Sequence, residues 1–520
     1  MFASRSARSW LLLAFTLSGF DRLRFRGESR LLNNGRGVES YLFQRNLRCI
    51  DFPKHADELT QQLRRQTERD AATQGIPLKP LNSGAIDKEA AALELARAHG
   101  KTVGRIAVLS AVESARVFRL RKNPAGLVTP VKQAGKCAHY YHYFLHPELG
   151  RCYVRIQTWF PFQVRVGLNG REWLYRQLER RGVPFDRRDN LLVSVVDPRL
   201  AQDLLNEQRR TDWPTLLGDL VRPVQPLWAY LHETARTPYY WMTEQSEWAT
   251  DFVFADPAEL ARWYPLWVRH GIDRLGCRDV LRYLGKKVPD QGYGGCTGEV
   301  KMDLRDRPEG TRLKFWYQTN ALKVYDKAAR AFRIETTINR PEGFKVYRTR
   351  EGEPADAPKS WQAMRQGVAD LNRRAEVSQA ANHRLAESLA SVAEPTPLGE
   401  LLKPLGRPVF ADGQRKARAL NPLTGKDGEL LRALARGEFL LQGFRNADLR
   451  VALYGAATDV DQRRRAAARV TRQLALLRAH GLIVKVTGTH RYHLSAGGRR
   501  IVACLLAAHA ADVARLDACA

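Results

Sequence analysis

The stretch "LKVYDKAARAFRIETTINR", Leu322 to Arg340, reads as two short strands joined by an alanine-rich turn. Its odd positions are polar: Lys323, Tyr325, Lys327, Arg333, Glu335, Thr337 and Asn339. Its even positions Leu322, Val324, Phe332, Ile334 and Ile338 are apolar. Alternate residues of a strand face opposite sides of a sheet, so one side lines up a tyrosine with lysines, an arginine and a glutamate. A tyrosine beside lysines can act as a nucleophile, because nearby cations favour the phenolate. Upstream, "SEWATDFVF" sets Glu247 and Asp251 on one strand face, with Trp248, Thr250, Phe252 and Phe254 on the other. Four residues apart on an extended strand, the two acids lie about 13 Å apart, so they hold one ion only if the strand bends. Glu335 on a neighbouring strand brings a carboxylate within cross-strand reach. Carboxylate oxygens suit Mg²⁺ or Mn²⁺.

The elements that must carry these residues repeat. "RIAVLSAVESARVFRLRK", "KCAHYYHYFLHPELGRCYVRIQTWFPFQVRVGLNG", "REWLYRQLERRGV" and "NLLVSVVD" predict a β-β-β-α-β block. Aromatic β-formers flank "HPELG", which supplies the turn. "YYWMTEQSEWATDFVF", then "DPAELARWYPLWVRHGI" capped by Asp256 with Pro257 at its first position, then four short strands predict a second block. The domains expected are a helical region of unclear role at 1–105, α+β blocks at 106–235 and 236–345, a helix and linker at 346–420, and a C-terminal domain at 421–520. The fold class is α+β, with a basic antiparallel-sheet core.

In the last hundred residues, helices at "GKDGELLRALARGEF", "RNADLRVALYG" and "VDQRRRAAARVTRQLALLRAHG" precede the hairpin "LIVKVTGTHRYHLS" and a closing helix. This order resembles the winged helix-turn-helix domains of bacterial DNA-binding proteins. The third helix is then the recognition helix. Arg463, Arg464, Arg465, Arg469 and Arg472 load it with cations for phosphates or guanine edges. Lys485, His490 and Arg491 lie on the wing. Winged helices also serve as protein-protein modules.

Charge agrees with a polyanionic partner: 84 Lys+Arg against 55 Asp+Glu leave a net +29. Nucleic acid, most naturally DNA, is the expected partner, with no membrane: nothing approaches the ~18 apolar residues of a span. Seven scattered cysteines with no CxxC pair give no zinc or redox motif and fit a reducing compartment. "RSARSWLLLAFTLSGF" is followed by "DRLRFRGESR" without a small-residue cleavage site, so no signal peptide and a cytoplasmic location are expected. "DQGYGGCTGE" matches neither phosphate-loop pattern. His139 and His142 in "HYYHYFLH" point to opposite faces and read as core, as does His146. "RIQTWFPF" and Trp173 read first as buried aromatics and second as a stacking platform for bases.

The sequence of an acidic strand, a helix, Tyr-x-Lys and Arg-x-Glu resembles the replication initiators of rolling-circle plasmids and filamentous phages, over about 100 residues. The resemblance implies a nicking endonuclease of a mobile element, whose tyrosine attacks a DNA phosphodiester and stays linked to the 5′ end. It places Glu247 and Asp251 at the acidic positions, Tyr325 at the tyrosine, Lys327 at its lysine, and Arg333 and Glu335 at the closing pair. In that reading Lys323 or Lys327 activates Tyr325. Glu247, Asp251 and Glu335 hold Mg²⁺ or Mn²⁺, and Arg333 orients Glu335 or binds phosphate. The alternatives are a non-catalytic winged-helix transcriptional regulator and an RNA-binding protein using the aromatic sheets.

Overall fold

The computed structural model describes residues 13–82, 86–285, 300–307, 310–350, 353–354, 356–390, 398–411, 415–435, 439, 443–456, 459–486 and 489–510. The glycine-rich loop 290–299 and part of the wing turn lie outside them. The chain is mixed α+β and forms two compact units. One comprises Thr16–Thr250 and Thr336–Gln379; the other comprises Met1–Phe15, Asp251–Glu335 and Ala380–Ala520. The division therefore falls inside strands rather than near residue 235, and the units interleave along the chain instead of following one another.

In the first unit the elements that matter are β1 (Leu13–Ser29), α1 (Phe52–Thr73), α2 (Lys88–Ala98), β2 (Gly104–Lys122), β3 (Val128–His146), β4 (Gly150–Gln157), β5 (Val164–Asn169), α3 (Gly170–Arg180) and β6 (Tyr239–Phe254). Strand order is β6–β1–β5–β4–β3–β2, with a parallel edge segment Leu78–Pro80 on β2. β1 corrects the expectation of a purely helical start to the chain. Its "RLRFRG" alternates strictly: Leu23 and Phe25 are buried, while Arg22 is exposed and Arg24 and Arg26 are half-buried. Paired antiparallel with β5 (Arg24 opposite Gly167), β1 adds Leu23 and Phe25 to a core with Val154, Ile156, Val164 and Val166. Each such side chain stabilises the fold by about 1.5–3 kcal/mol when fully buried. α1 closes that core with Phe52, Ala56, Leu59 and Leu63, one apolar stripe at helical spacing. β2 and β3 form a hairpin paired along nearly its whole length, from Gly104 opposite Leu145 to Lys122 opposite Val128.

The second unit contains α4 (Pro257–Arg274), β7 (Val300–Arg307), β8 (Gly310–Tyr317), β9 (Asn320–Lys327) and β10 (Ala331–Ile338). Asp256 caps α4 by accepting from the Ala258 amide (2.9 Å), as its sequence predicts. β7, β8, β9 and β10 run in that order. The even side of the β9–β10 hairpin is core: Trp267 of α4 lies 4.7 Å from Phe332, and Tyr264 6.1 Å from it. A Cβ on Gly271 would stand 2.7 Å from Leu313, so glycine lets α4 lie close to β8. The odd side is not a solvated face. Every residue of β10 is buried, Arg333 and Glu335 included. A sheet with one side in water was the simpler expectation.

The C-terminal region begins with α5 (Leu371–Ala390), which contributes to both units. It continues with α6 (Gly425–Leu434), β11 (Phe444–Arg445), α7 (Asn446–Tyr454), α8 (Val460–Ala479), β12 (Ile483–Lys485), β13 (Arg491–Leu494) and α9 (Ala496–Ala510). β13 lies between β11 and β12 in a small sheet. α6 to α9 share one core that includes Leu430, Leu434, Leu449, Val470, Leu474 and Leu477. Arg445 precedes α7, and its amide donates to Asp448 Oδ2 at 2.7 Å. No helix of the described residues is long and apolar enough to cross a membrane.

His139 and His142 are core residues, 1% and 0% exposed. Burial pushes both down to about 3 from the ordinary 6.5, with Arg155 adding to the effect at His139 and Arg105 at His142. A histidine depressed in the folded state binds its proton first in the unfolded chain. The stability it contributes is complete above pH 6.5 and is lost as pH falls toward 3. Between pH 6.5 and 5 the loss amounts to about 2 kcal/mol per histidine, at 1.36 kcal/mol per pH unit. Denaturant titrations across this range should show that fall, and a His139→Gln/His142→Gln variant that still folds should flatten it. An unchanged pH slope in that variant would contradict the assignment.

Candidate functional site

β9 and β10 are joined by Ala328 and Ala329, both in the left-handed region (φ 55° and 52°), which gives the tight turn a hairpin needs. The turn sets the register that brings Tyr325 beside Glu335. Tyr325 Oη donates to Glu335 Oε2 at 2.5 Å, and Lys323 Nζ lies 3.3 Å from Glu335 Oε1. Tyr325 is 6% exposed and Glu335 2%. A carboxylate taken out of water is tolerable only when charge-assisted hydrogen bonds replace its hydration, and here a phenol and an ammonium do so. Of the two lysines expected near the tyrosine, Lys323 shares its carboxylate. Lys327, at the far end of β9, is half-buried.

Arg333 takes a different partner from the one its spacing suggested. It is fully buried and forks onto Asp251, with Nη2 2.9 Å from Oδ2 and Nε on Oδ1. Its guanidinium is thus engaged by Asp251. Asp251 is 2% exposed, and both its oxygens accept from the guanidinium. A guanidinium on both oxygens competes with any divalent cation for this carboxylate. Glu247, on the first unit's part of β6, is buried and accepts from Gln245 Nε2 at 2.8 Å. The site that the structure shows in the second unit is thus two buried, charge-compensated groups on adjacent strands: Tyr325–Glu335–Lys323, and Arg333–Asp251.

The basic residues of the C-terminal region are placed otherwise. Arg463, Arg464, Arg465, Arg469 and Arg472 are all exposed on α8, with Arg465, Arg469 and Arg472 turned away from the buried Val470, Leu474 and Leu477 and Arg463 one turn or more before them on their own side. Asp459 caps the helix by accepting from the Gln462 amide (3.1 Å). The Arg469 guanidinium lies over the Tyr454 ring, 5.4 Å from its centroid. Arg465 Nε reaches the carbonyl of Asp461 at 3.4 Å. Lys485 and His490 are exposed on the hairpin; Arg491 is drawn back, with Nη1 donating to the Gly443 carbonyl at 3.3 Å. Arg445 is a further exposed cation at the start of α7, one that a reading centred on the arginine run passes over.

No family model, no curated protein and no solved structure matches this chain.

Removing one partner of a buried ion pair leaves the other charge uncompensated, at a cost of about 3–5 kcal/mol, whereas replacing both with apolar groups is often near neutral. Arg333→Met alone and Asp251→Leu alone should each lower unfolding stability by about that amount. The double variant should recover most of the loss. Urea titrations of the three variants measure this, and additive losses in the double variant would contradict the pairing.

Proposed function

We propose that this chain is a DNA-binding, replication-initiator-like protein that grips duplex DNA through a winged helix at its C-terminus. The observation that supports it is the set of exposed arginines on α8, a helix that shares a core with α7 and the β12–β13 hairpin. In a winged helix the third helix enters the major groove, which admits an α-helix, and the hairpin lies along the backbone. Arg463, Arg464 and Arg465 near the start of α8 stand where a recognition helix makes its base and phosphate contacts. Lys485 and His490 on the wing add contacts to the adjoining backbone. No target sequence follows from this arrangement.

Each arginine that neutralises a phosphate of B-DNA adds about 0.9 to the slope of log K against log salt. Replacing Arg463, Arg464 and Arg465 with alanine should lower duplex affinity more than tenfold near physiological salt. It should also reduce that slope by about 2.7 if all three meet phosphates. Anisotropy titrations at several salt concentrations give both quantities. A variant that binds like the wild type would refute the assignment of α8.

The Tyr325–Glu335 contact favours a further step, DNA nicking at Tyr325. Glu335 accepts the phenol proton and the phenolate attacks phosphorus. The phosphorus–O3′ bond breaks, the 5′ phosphate stays on the tyrosine, and the 3′ oxygen leaves with the bonding pair and takes a proton from water to become a hydroxyl. Lys323 balances the charge on Glu335 as the proton moves. Mg²⁺ or Mn²⁺, when bound, would neutralise charge on the scissile phosphate. At 6% exposure Tyr325 meets a DNA strand only if its side of the β9–β10 hairpin opens. The purely regulatory reading needs no such opening. Incubation with supercoiled and single-stranded DNA plus Mg²⁺ or Mn²⁺ separates them. Nicking predicts a covalent protein–DNA adduct in the wild type and none in Tyr325→Phe. No adduct in the wild type, or an equal one in Tyr325→Phe, removes the nicking step and leaves duplex binding standing.

A further inference from the structure

The most one-sided concentration of charge outside α8 lies on the β2–β3 hairpin. From Ser114 to Cys137 the chain carries Arg116, Arg119, Arg121, Lys122, Lys132 and Lys136 and no acidic residue. Five of the six are exposed; Lys132 is the exception, turned onto Asn33. The pairing, with Arg119 opposite Val131 and Arg121 opposite Thr129, sets Arg119 and Arg121 on one face of the hairpin and Arg116, Lys122 and Lys136 on the other. Arg119 and Arg121, two apart on one strand face, stand roughly 6.6–6.8 Å apart.

Where residues 117–120 and 136–138 of the hairpin meet α1 is a cleft of about 460 Å³. Arg64 of α1, Arg119 of β2 and Lys136 of β3 line it, and no carboxylate does. Trp159, half-buried, forms part of its wall, and Phe118 and Phe52 are buried residues among those lining it. The cleft is held open by bonds that do not depend on a ligand. Trp159 Nε1 donates to the Phe118 carbonyl at 3.3 Å, fixing the plane of the indole. Thr60 Oγ1 donates to the Thr158 carbonyl at 2.8 Å, tying α1 to the segment that carries Trp159. The sequence marks "RIQTWFPF" as core or stacking platform, and the structure divides it: Phe160 and Phe162 are fully buried, and Trp159 lines the cleft.

We propose that this cleft and the adjoining hairpin bind single-stranded nucleic acid. The backbone would run along Arg64, Arg119, Lys136 and the outer cations, with one unpaired base against Trp159. A basic groove combined with an aromatic wall is how single strands are held without sequence preference, because every base has a face that stacks. A duplex keeps its bases paired and offers the indole nothing to stack on. The inference extends the DNA-binding reading to a second form of nucleic acid, and it uses residues of the first unit alone.

The test uses the full chain and three probes: oligothymidylate, oligouridylate, and a duplex of equal length. The exposed pair Arg119→Ala/Lys136→Ala should weaken oligothymidylate binding about tenfold and lower its salt slope by about 1.4, at 0.7 per phosphate contact on a single strand. Trp159→Leu should weaken it by about 5- to 150-fold, and Trp159→Phe should restore most of the loss. The double variant guards against misfolding, since neither Arg119 nor Lys136 is buried. Comparable losses with both oligomers assign the cleft to single strands of either sugar, and a loss with one alone assigns it to that sugar. Oligomer binding within twofold of wild type in the double variant, or no oligomer binding by the wild type, would overturn the proposal. So would a loss confined to the duplex, which would make the hairpin a groove-inserting ribbon. Arg463→Ala/Arg465→Ala serves as the separate arm: unchanged duplex binding there counts against the winged-helix reading while leaving the cleft intact.

Discussion

The need to compensate charge buried on β10 governs the second unit. Arg333 and Glu335 lie two residues apart on a strand with no exposed residue, so each must find an opposite charge without water. Arg333 finds Asp251, and Glu335 finds Lys323 and the Tyr325 hydroxyl. These bonds fix which side of β10 faces which neighbour, because a one-residue slip would turn Phe332 and Ile334 away from α4 and strand the ions in the apolar layer. Register, turn and ion pairing thus constrain one another. Tyr325 bonds to Glu335, which ties any activity of the tyrosine to a group the fold already needs.

The two regions that face water are built on a different principle. On α8 and on the β2–β3 hairpin, buried apolar residues anchor the element, while exposed arginines and lysines stand among few carboxylates. Such unspent positive charge costs self-repulsion, and a polyanion relieves it. The overall +29 is accordingly not spread as a uniform coat. Part of it lies in the exposed arginines of α8, and part of it on the hairpin beside an aromatic cleft.

Much of the local structure was legible in the sequence. Parity alone placed the apolar side of Leu322–Ile338 against a helix, and Asp256 with Pro257 marked the start of α4. The order of helices and hairpin from residue 425 onward also emerges from spacing and capping. Parity, however, tells which face a residue occupies and not which neighbour it meets. Hence Arg333 reads as a partner for Glu335 on its own strand, when the guanidinium reaches across to Asp251. β1 escaped because its apolar start drew attention to targeting, although the alternation in "RLRFRG" was the sign of a strand. The cleft at Trp159 depends on α1 meeting a hairpin some fifty residues away, a proximity that no local pattern encodes.

The central claim is that α8 lies on duplex DNA. A photo-crosslinking amino acid at Ala468, which is exposed beside Arg469, probes it directly. Irradiation with duplex DNA should give a crosslink that competitor duplex suppresses and that maps to bases in a major groove. Crosslinking that fails at Ala468 yet succeeds from an exposed position of the first unit, such as Val196, would contradict the account.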